Sequence, residues 1–199
     1  MMKKLLAILL CGIMLCGCGA KGQDKDDINT PISSTGAENA GEQGSADHSA
    51  EKYYLKFTAT SVDGESVTDE IFAGTKLTMI NVWGTYCNPC LNEMPDLGEI
   101  ANAYDKSEFQ IIGIVCDVEE TAAADDIAYV KELIEETKAD YLHLLLGDDL
   151  YMNLVGGVSA VPTTFFVKSD GELIGYLTGA MSKASWEELI NELLAEVEK

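Results

Sequence analysis

The sequence predicts an α/β fold, a sandwich in which helices cover a mixed β-sheet. Three observations carry that prediction. Two nearly continuous apolar runs, KLTMINVWG and FQIIGIVCDV, read as strands buried on both faces, since such strands have no polar face to show. Stretches with apolar residues three and four positions apart follow each of them, which is helical periodicity. A strand–turn–strand pattern, TTFFVKSDGELIGYLTG, precedes the last helical stretch, and strands joined by a tight Asp-Gly turn run antiparallel. Parallel strands linked through helices plus one antiparallel hairpin make a layered, mixed sheet.

The chain opens with MMKKLLAILLCGIMLCGCGAKG. Lys3 and Lys4 form a short basic region, and residues 5–15 are an apolar run of secretory-signal length, too short to span a bilayer comfortably. The run ends in LCGC, which resembles the lipobox of bacterial lipoproteins, although Cys16 stands where a small aliphatic or hydroxyl residue is usual. The resemblance implies a signal peptide over residues 1–17 and lipidation of Cys18. An uncleaved N-terminal anchor is the alternative. Either places the rest of the chain outside the cytoplasm. Acyl chains would hold the protein at a membrane surface, at roughly 0.8 kcal/mol per buried methylene.

Residues 18–50 read as the lipidated cysteine and a disordered tether. Residues 19–50 contain no aromatic side chain and are rich in Gly, Ser, Ala, Asp and Glu, so little apolar burial offsets the entropy of ordering. A flexible coil of that length spans roughly 30 Å on average. His48 there reads as solvated. Residues 51–199 are globular in composition.

Within them YYLKFTATSVDGESV alternates and carries Asp63-Gly64, a hairpin pattern. Strand KLTMINVWG follows. Leu91, Met94, Leu97, Ile100, Ala101 and Tyr104 then form a helical stripe, which Pro95 should kink. After strand FQIIGIVCDV, a helix near residues 122–138 carries Ile127, Val130 and Ile134. LHLLLG reads as a further strand. The closing helix shows Trp186, Leu189, Ile190, Leu193, Leu194 and Val197 on one stripe, with Ser185 and Glu188 as a capping box.

The chain has 199 residues and a formal charge of −21, from 34 acids against 13 basic residues, all lysine. Removing residues 1–17 takes away Lys3 and Lys4 and no acid, giving −23. Such a charge without arginine argues against nucleic acid, whose phosphates attract dense positive charge and suit arginine's planar fork. It also argues against adhesion to anionic lipid by surface charge. The acidic excess reads as a solvated surface.

The chemistry lies in Cys87-Asn88-Pro89-Cys90, where a buried strand hands over to a helix. Spacing of i and i+3 puts both sulfurs on one helix face. The helix start offers unpaired N–H groups and partial positive charge, both of which favour the reactive thiolate. Pro89 suits the first turn because its missing N–H is no loss there. Lowering a thiol pKa from about 8.5 to about 7 raises thiolate roughly 16-fold at pH 7, and reduced nucleophilicity returns about 5-fold of that. The larger benefit is that a low-pKa sulfur leaves easily, so the pair can cycle. Cys87, nearer the N-terminus, reads as the exposed nucleophile and Cys90 as the resolving thiol. A structural disulfide, a zinc site and a peroxidatic cysteine are the rival readings. Zinc would need two more ligands, and only Cys116, His143 and carboxylates remain, without paired spacing.

NVWGTYCNPCLNEMPDL, followed by GVSAVPTTFFVKSDGELIGYLTG, resembles thioredoxin-fold proteins of the TlpA/ResA type over about residues 53–197. The resemblance implies a thioredoxin-like three-layer sandwich with an extra N-terminal β-hairpin. It implies a lipid-anchored thiol–disulfide reductase on the extracytoplasmic face of a bacterial cell membrane, needing no cofactor or metal. Pro162 matches the family's cis-proline, with a strand-initiating trans proline as the plain alternative, and Val161 before it matches the backbone that holds extended substrate. Trp83 and Tyr86 match residues that shield the disulfide and touch partners, with plain core packing as the alternative for Trp83. Glu93 matches a glutamate that relays protons to the buried thiol, with a solvated helix residue as the plain alternative. Asn81 stands where cytoplasmic thioredoxins carry a buried aspartate. The implied partners are a CcdA-type membrane electron donor and disulfide-containing envelope proteins, cytochrome c biogenesis among the contexts, with the protein itself a monomer. A disulfide-forming oxidase and a tethered binding module or chaperone are the alternatives. Cys116 reads first as a buried inert thiol and second as a third redox thiol. His143 reads as a packed or edge residue.

Overall fold

A computed structural model of the chain describes residues 52–197 and the two-residue strand β1 (Gln43–Gly44). The predicted signal peptide, Cys18 and the rest of the predicted tether lie outside the described residues. The further strands are β2 (Thr58–Thr60), β3 (Ser66–Thr68), β4 (Leu77–Trp83), β5 (Phe109–Glu119), β6 (Leu142–Leu146), β7 (Thr163–Lys168) and β8 (Leu173–Thr178). The helices are α1 (Asn88–Ala103), α2 (Ala124–Thr137), α3 (Asp148–Asn153) and α4 (Lys183–Val197).

The main sheet has the order β1-β8-β7-β4-β5-β6. β4, β5 and β6 run parallel, while β7 is antiparallel to both β4 and β8. This is the mixed, thioredoxin-like sheet, with β4 at its centre. Every residue of β4 is buried, as an apolar run without alternation requires. β2 and β3 form the separate N-terminal hairpin, turned at Gly64, whose φ of +85° suits a residue without a Cβ. β1 pairs with the β8 edge through Gln43–Leu177 and Gly44–Tyr176, so two residues of the stretch read as a tether join the sheet.

Alternation along β4 decides what lies where. Ile80 and Val82 face a core built with Leu55, Phe57, Phe72, Ile112, Ile114, Leu144 and Leu150. Leu77, Met79 and Trp83 face the side covered by α1, α2 and α4. There α1 contributes Cys90 and Met94 to one cluster and Leu97, Ile100 and Ala101 to another, which Trp186 and Ile190 of α4 complete. Each such buried aliphatic side chain contributes about 1.5–3 kcal/mol, and this fixes α1, with the thiols at its start, against the sheet.

One local expectation changes. The first turn of α4 is capped by Ser182, whose Oγ accepts from Ser185 N at 3.3 Å, so the cap lies three residues before the predicted Ser185. α1 is one continuous helix that contains Pro95.

Candidate redox-active site

The strand-to-helix turn is held from β5. Asp117 accepts from Thr85 N at 3.0 and 3.2 Å with its two oxygens, and from Thr85 Oγ1 at 2.6 Å. Cys87 N then donates to Gly84 O at 3.0 Å, closing a tight turn that delivers Cys87 to the helix start. Sequence reasoning missed Asp117; an acid that follows an apolar strand and Cys116 was its only signal.

Cys87 is the N-cap of α1, and its Sγ accepts from Cys90 N at 3.2 Å. A sulfur in that place receives one of the helix's free N–H groups, an arrangement that stabilises negative charge on it. Cys87 and Cys90 are joined in a disulfide with an S–S distance of 2.05 Å. Cys87 keeps 5% of its surface exposed and Cys90 none. The order of access matches the prediction, but the nucleophile is far less exposed than predicted, because the packed helix start encloses both sulfurs.

Tyr86 beside it is 69% exposed. Trp83 is fully buried, which favours its core-packing alternative over contact with partners. Trp83, Cys87, Cys90, Met94, Val115 and Leu145 share one apolar cluster. The Trp83 indole N–H donates to His143 Nδ1 at 3.2 Å, and His143 Nε2 lies 3.0 Å from Ala139 O. That pairing assigns the neutral tautomer with its hydrogen on Nε2. Burial depresses the His143 pKa to about 4, against a raising effect of the Ala139 carbonyl. Tyr141 stacks on the other side of the ring at 4.4 Å between centroids. His143 is therefore packed, as predicted, with a specific hydrogen bond that the sequence did not announce.

Glu93, three residues after Cys90, is buried. Its Oε1 accepts from Asn81 Nδ2 and its Oε2 from Met181 N, each at 3.2 Å. Asn81 Nδ2 also reaches Thr164 Oγ1 at 3.2 Å. Burial drives the Glu93 pKa up to about 7, more strongly than these hydrogen bonds lower it. Trp186 lies beside the carboxyl and, like these hydrogen bonds, works against the rise. A solvated helix residue is thereby excluded for Glu93.

The Val161–Pro162 peptide bond is cis. Val161 packs against the clusters on both sides of the sheet. With Tyr86, Cys116, Tyr151 and Val158 it lines a cavity of about 280 Å³. Cys116 is half-buried, with burial pushing its thiol pKa up and Asp117 adding to that shift. It is neither sealed in the core nor bonded to another cysteine.

Comparison with known proteins places this geometry. A family model described as redoxin matches residues 49–190. The thiol–disulfide oxidoreductase ResA of Bacillus thuringiensis subsp. konkukian is 30% identical over 138 residues, covering 69% of this chain and 74% of that protein. A thiol:disulfide interchange protein of the thioredoxin family from Chlorobium tepidum superposes with a TM-score of 0.62 at 23% identity, covering 75% of this chain and 99% of that one. The pneumococcal exposed lipoprotein thioredoxin from Streptococcus pneumoniae does so with a TM-score of 0.56 at 24% identity, covering 69% and 98%. At such identities the two structures establish the fold.

Proposed function

The chain belongs to the redoxin family, as a ResA-like member, and from that premise we propose that it is a reductase of disulfides in proteins outside the cytoplasm. It is a thiol–disulfide oxidoreductase whose working pair is Cys87 and Cys90. The observation that carries the reading is the Cys87–Cys90 disulfide at the start of α1, with access left only to Cys87.

In the reducing direction the Cys87 thiolate attacks one sulfur of a substrate disulfide. A mixed disulfide forms, and the other substrate sulfur leaves as thiolate and takes a proton. Cys90, deprotonated, then attacks Cys87 Sγ. The Cys87–Cys90 disulfide forms, the mixed disulfide breaks, and the second substrate thiol is released. Two electrons pass from the dithiol to the substrate. Cys90 is buried in apolar surroundings, so its proton needs a nearby acceptor. Glu93 suits that task, because a carboxyl with a pKa of about 7 both takes and gives a proton near neutrality. Substrate lies against Tyr86 and the Val161 backbone beside Pro162. A CcdA-type membrane donor re-reduces the pair, and lipid on Cys18 keeps the protein at the membrane.

Insulin reduction by the unit Asn39–Lys199, which retains β1, tests the activity. Cys87→Ser should abolish turnover, and undiminished turnover in that variant would remove Cys87 from the mechanism. Cys90→Ala should trap substrate on Cys87 for identification by mass spectrometry. A pair potential near −120 mV instead of roughly −270 mV would make the protein an oxidase.

A further inference from the structure

Trp83 and His143 form a buried pair that the reaction steps above leave unused. The Trp83 indole lies in one apolar cluster with Cys87 and Cys90, beneath the disulfide. Its N–H has a single hydrogen-bond partner, Nδ1 of His143 at 3.2 Å. The imidazole is fixed in turn by Nε2 against Ala139 O at 3.0 Å and by the stacked ring of Tyr141. The indole and imidazole meet edge to face, 5.6 Å between centroids. Rotation of Trp83 would break the hydrogen bond and this ring contact together.

The sequence around the pair is adapted to it. His143 stands opposite Gly113 in the β5–β6 register. A Cβ on Gly113 would lie 2.2 Å from His143 Nδ1, so the imidazole occupies space that any other residue there would fill. Glycine inside a strand weakens it, a loss the fold accepts to seat this ring. The other tryptophan, Trp186, is equally buried, and its indole acts on the Glu93 carboxyl. Beside the thiols the Trp83 indole N–H meets a different acceptor, an imidazole nitrogen of fixed tautomer.

We infer that His143 is a positioning residue of the redox centre: by accepting the Trp83 indole hydrogen bond it locks the surface beneath Cys87–Cys90 and so helps to set the equilibrium between disulfide and dithiol. The lock acts because the disulfide and the two thiols differ in volume and charge. A fixed indole contacts them unequally, and a free one relaxes to suit either. The inference rests on the redox reading of the pair but not on its direction.

The test is equilibration of the full chain with glutathione buffers, following Cys87 and Cys90 by differential alkylation and mass spectrometry. Asparagine places Oδ1 close to the position of histidine Nδ1, so His143→Asn keeps an acceptor for Trp83, and His143→Leu removes it. His143→Leu should shift the equilibrium constant about fivefold or more, a change of roughly 20 mV for two electrons, and His143→Asn should stay within about twofold of the parent. Both folded variants within twofold of the parent, or both shifted alike, would overturn the inference. A parent pair that does not exchange with glutathione at all would instead overturn the redox reading. Nitrogen NMR of the unaltered protein gives an answer even if His143→Leu does not fold. The imidazole should be neutral with hydrogen on Nε2, and the Trp83 indole signal, identified by its loss in Trp83→Phe, should move on reduction of the pair. Hydrogen on Nδ1, or an indole signal indifferent to redox state, would end the proposal.

Discussion

Glu93 and His143 are two ionisable side chains buried beside the same strand, one facing Asn81 and the other Trp83. Burial pushes both toward the neutral form, which means opposite directions in pKa: Glu93 rises to about 7 and His143 falls to about 4. The difference teaches what each neighbourhood permits. Glu93 is neutral at low pH and charged just above neutrality, which suits the proton-relay role proposed for it. His143 is neutral throughout that range, so it can only hold geometry.

Four changes break or sharpen that comparison. Gly113→Ala has the largest expected effect. Its Cβ would lie 2.2 Å from His143 Nδ1 with a rigid ring behind it, so unfolding in urea should show a loss on the order of 3 kcal/mol or more. The pH response of Glu93 should survive in that variant.

Glu93→Gln comes next. A carboxyl raised from 4.5 to about 7 stabilises the fold fully below 4.5, and that contribution is lost as pH rises through 7. The variant should therefore gain on the parent by about 3 kcal/mol between pH 4 and pH 8, read from unfolding midpoints across pH. If the gap stays constant, Glu93 does not titrate as its burial implies. Insulin reduction should also lose the part of its pH profile that lies near 7.

His143→Asn has the opposite sign. A histidine lowered from 6.5 to about 4 stabilises above 6.5, and that contribution is lost as pH falls through 4. The parent should lose about 2 kcal/mol between pH 7 and pH 5 that the variant keeps. In the parent the two slopes oppose each other between about pH 4.5 and 6.5, so its stability there should be nearly flat, and each variant should expose the other's slope.

Asp117→Asn is the mildest change. It weakens charge-assisted hydrogen bonds to Thr85 at an exposed turn, so about 1 kcal/mol should be lost in urea. Cys87 should react with a small alkylating agent at an altered rate, because Thr85 and Gly84 set its approach to the helix.

Much of this was legible before the fold was known. The unbroken apolar run of β4 placed it at the sheet centre, and the three-and-four spacing from Leu91 to Tyr104 placed α1. Cys87 and Cys90 declared themselves through their spacing at the strand–helix junction, and the resemblance around them pointed to Pro162 and Glu93. The start of α4 was misplaced because Ser185 and Glu188 fit a capping pattern that Ser182 fulfils in fact. α3 was missed because a six-residue helix holds too little periodicity to read. The partners of Trp83 and Thr85 were hidden for another reason. They lie 60 and 32 positions away in sequence, where no local rule reaches.

By itself the sequence determined the alternation of buried strands and helices and the location of the reactive sulfurs, because those follow from periodicity and from spacing within one turn of chain. Only the tertiary structure decided that Trp83 is fully buried, that Glu93 is buried against Asn81 and that His143 meets Trp83. Those outcomes depend on which side chains the sheet register sets face to face, and on the water excluded when they meet.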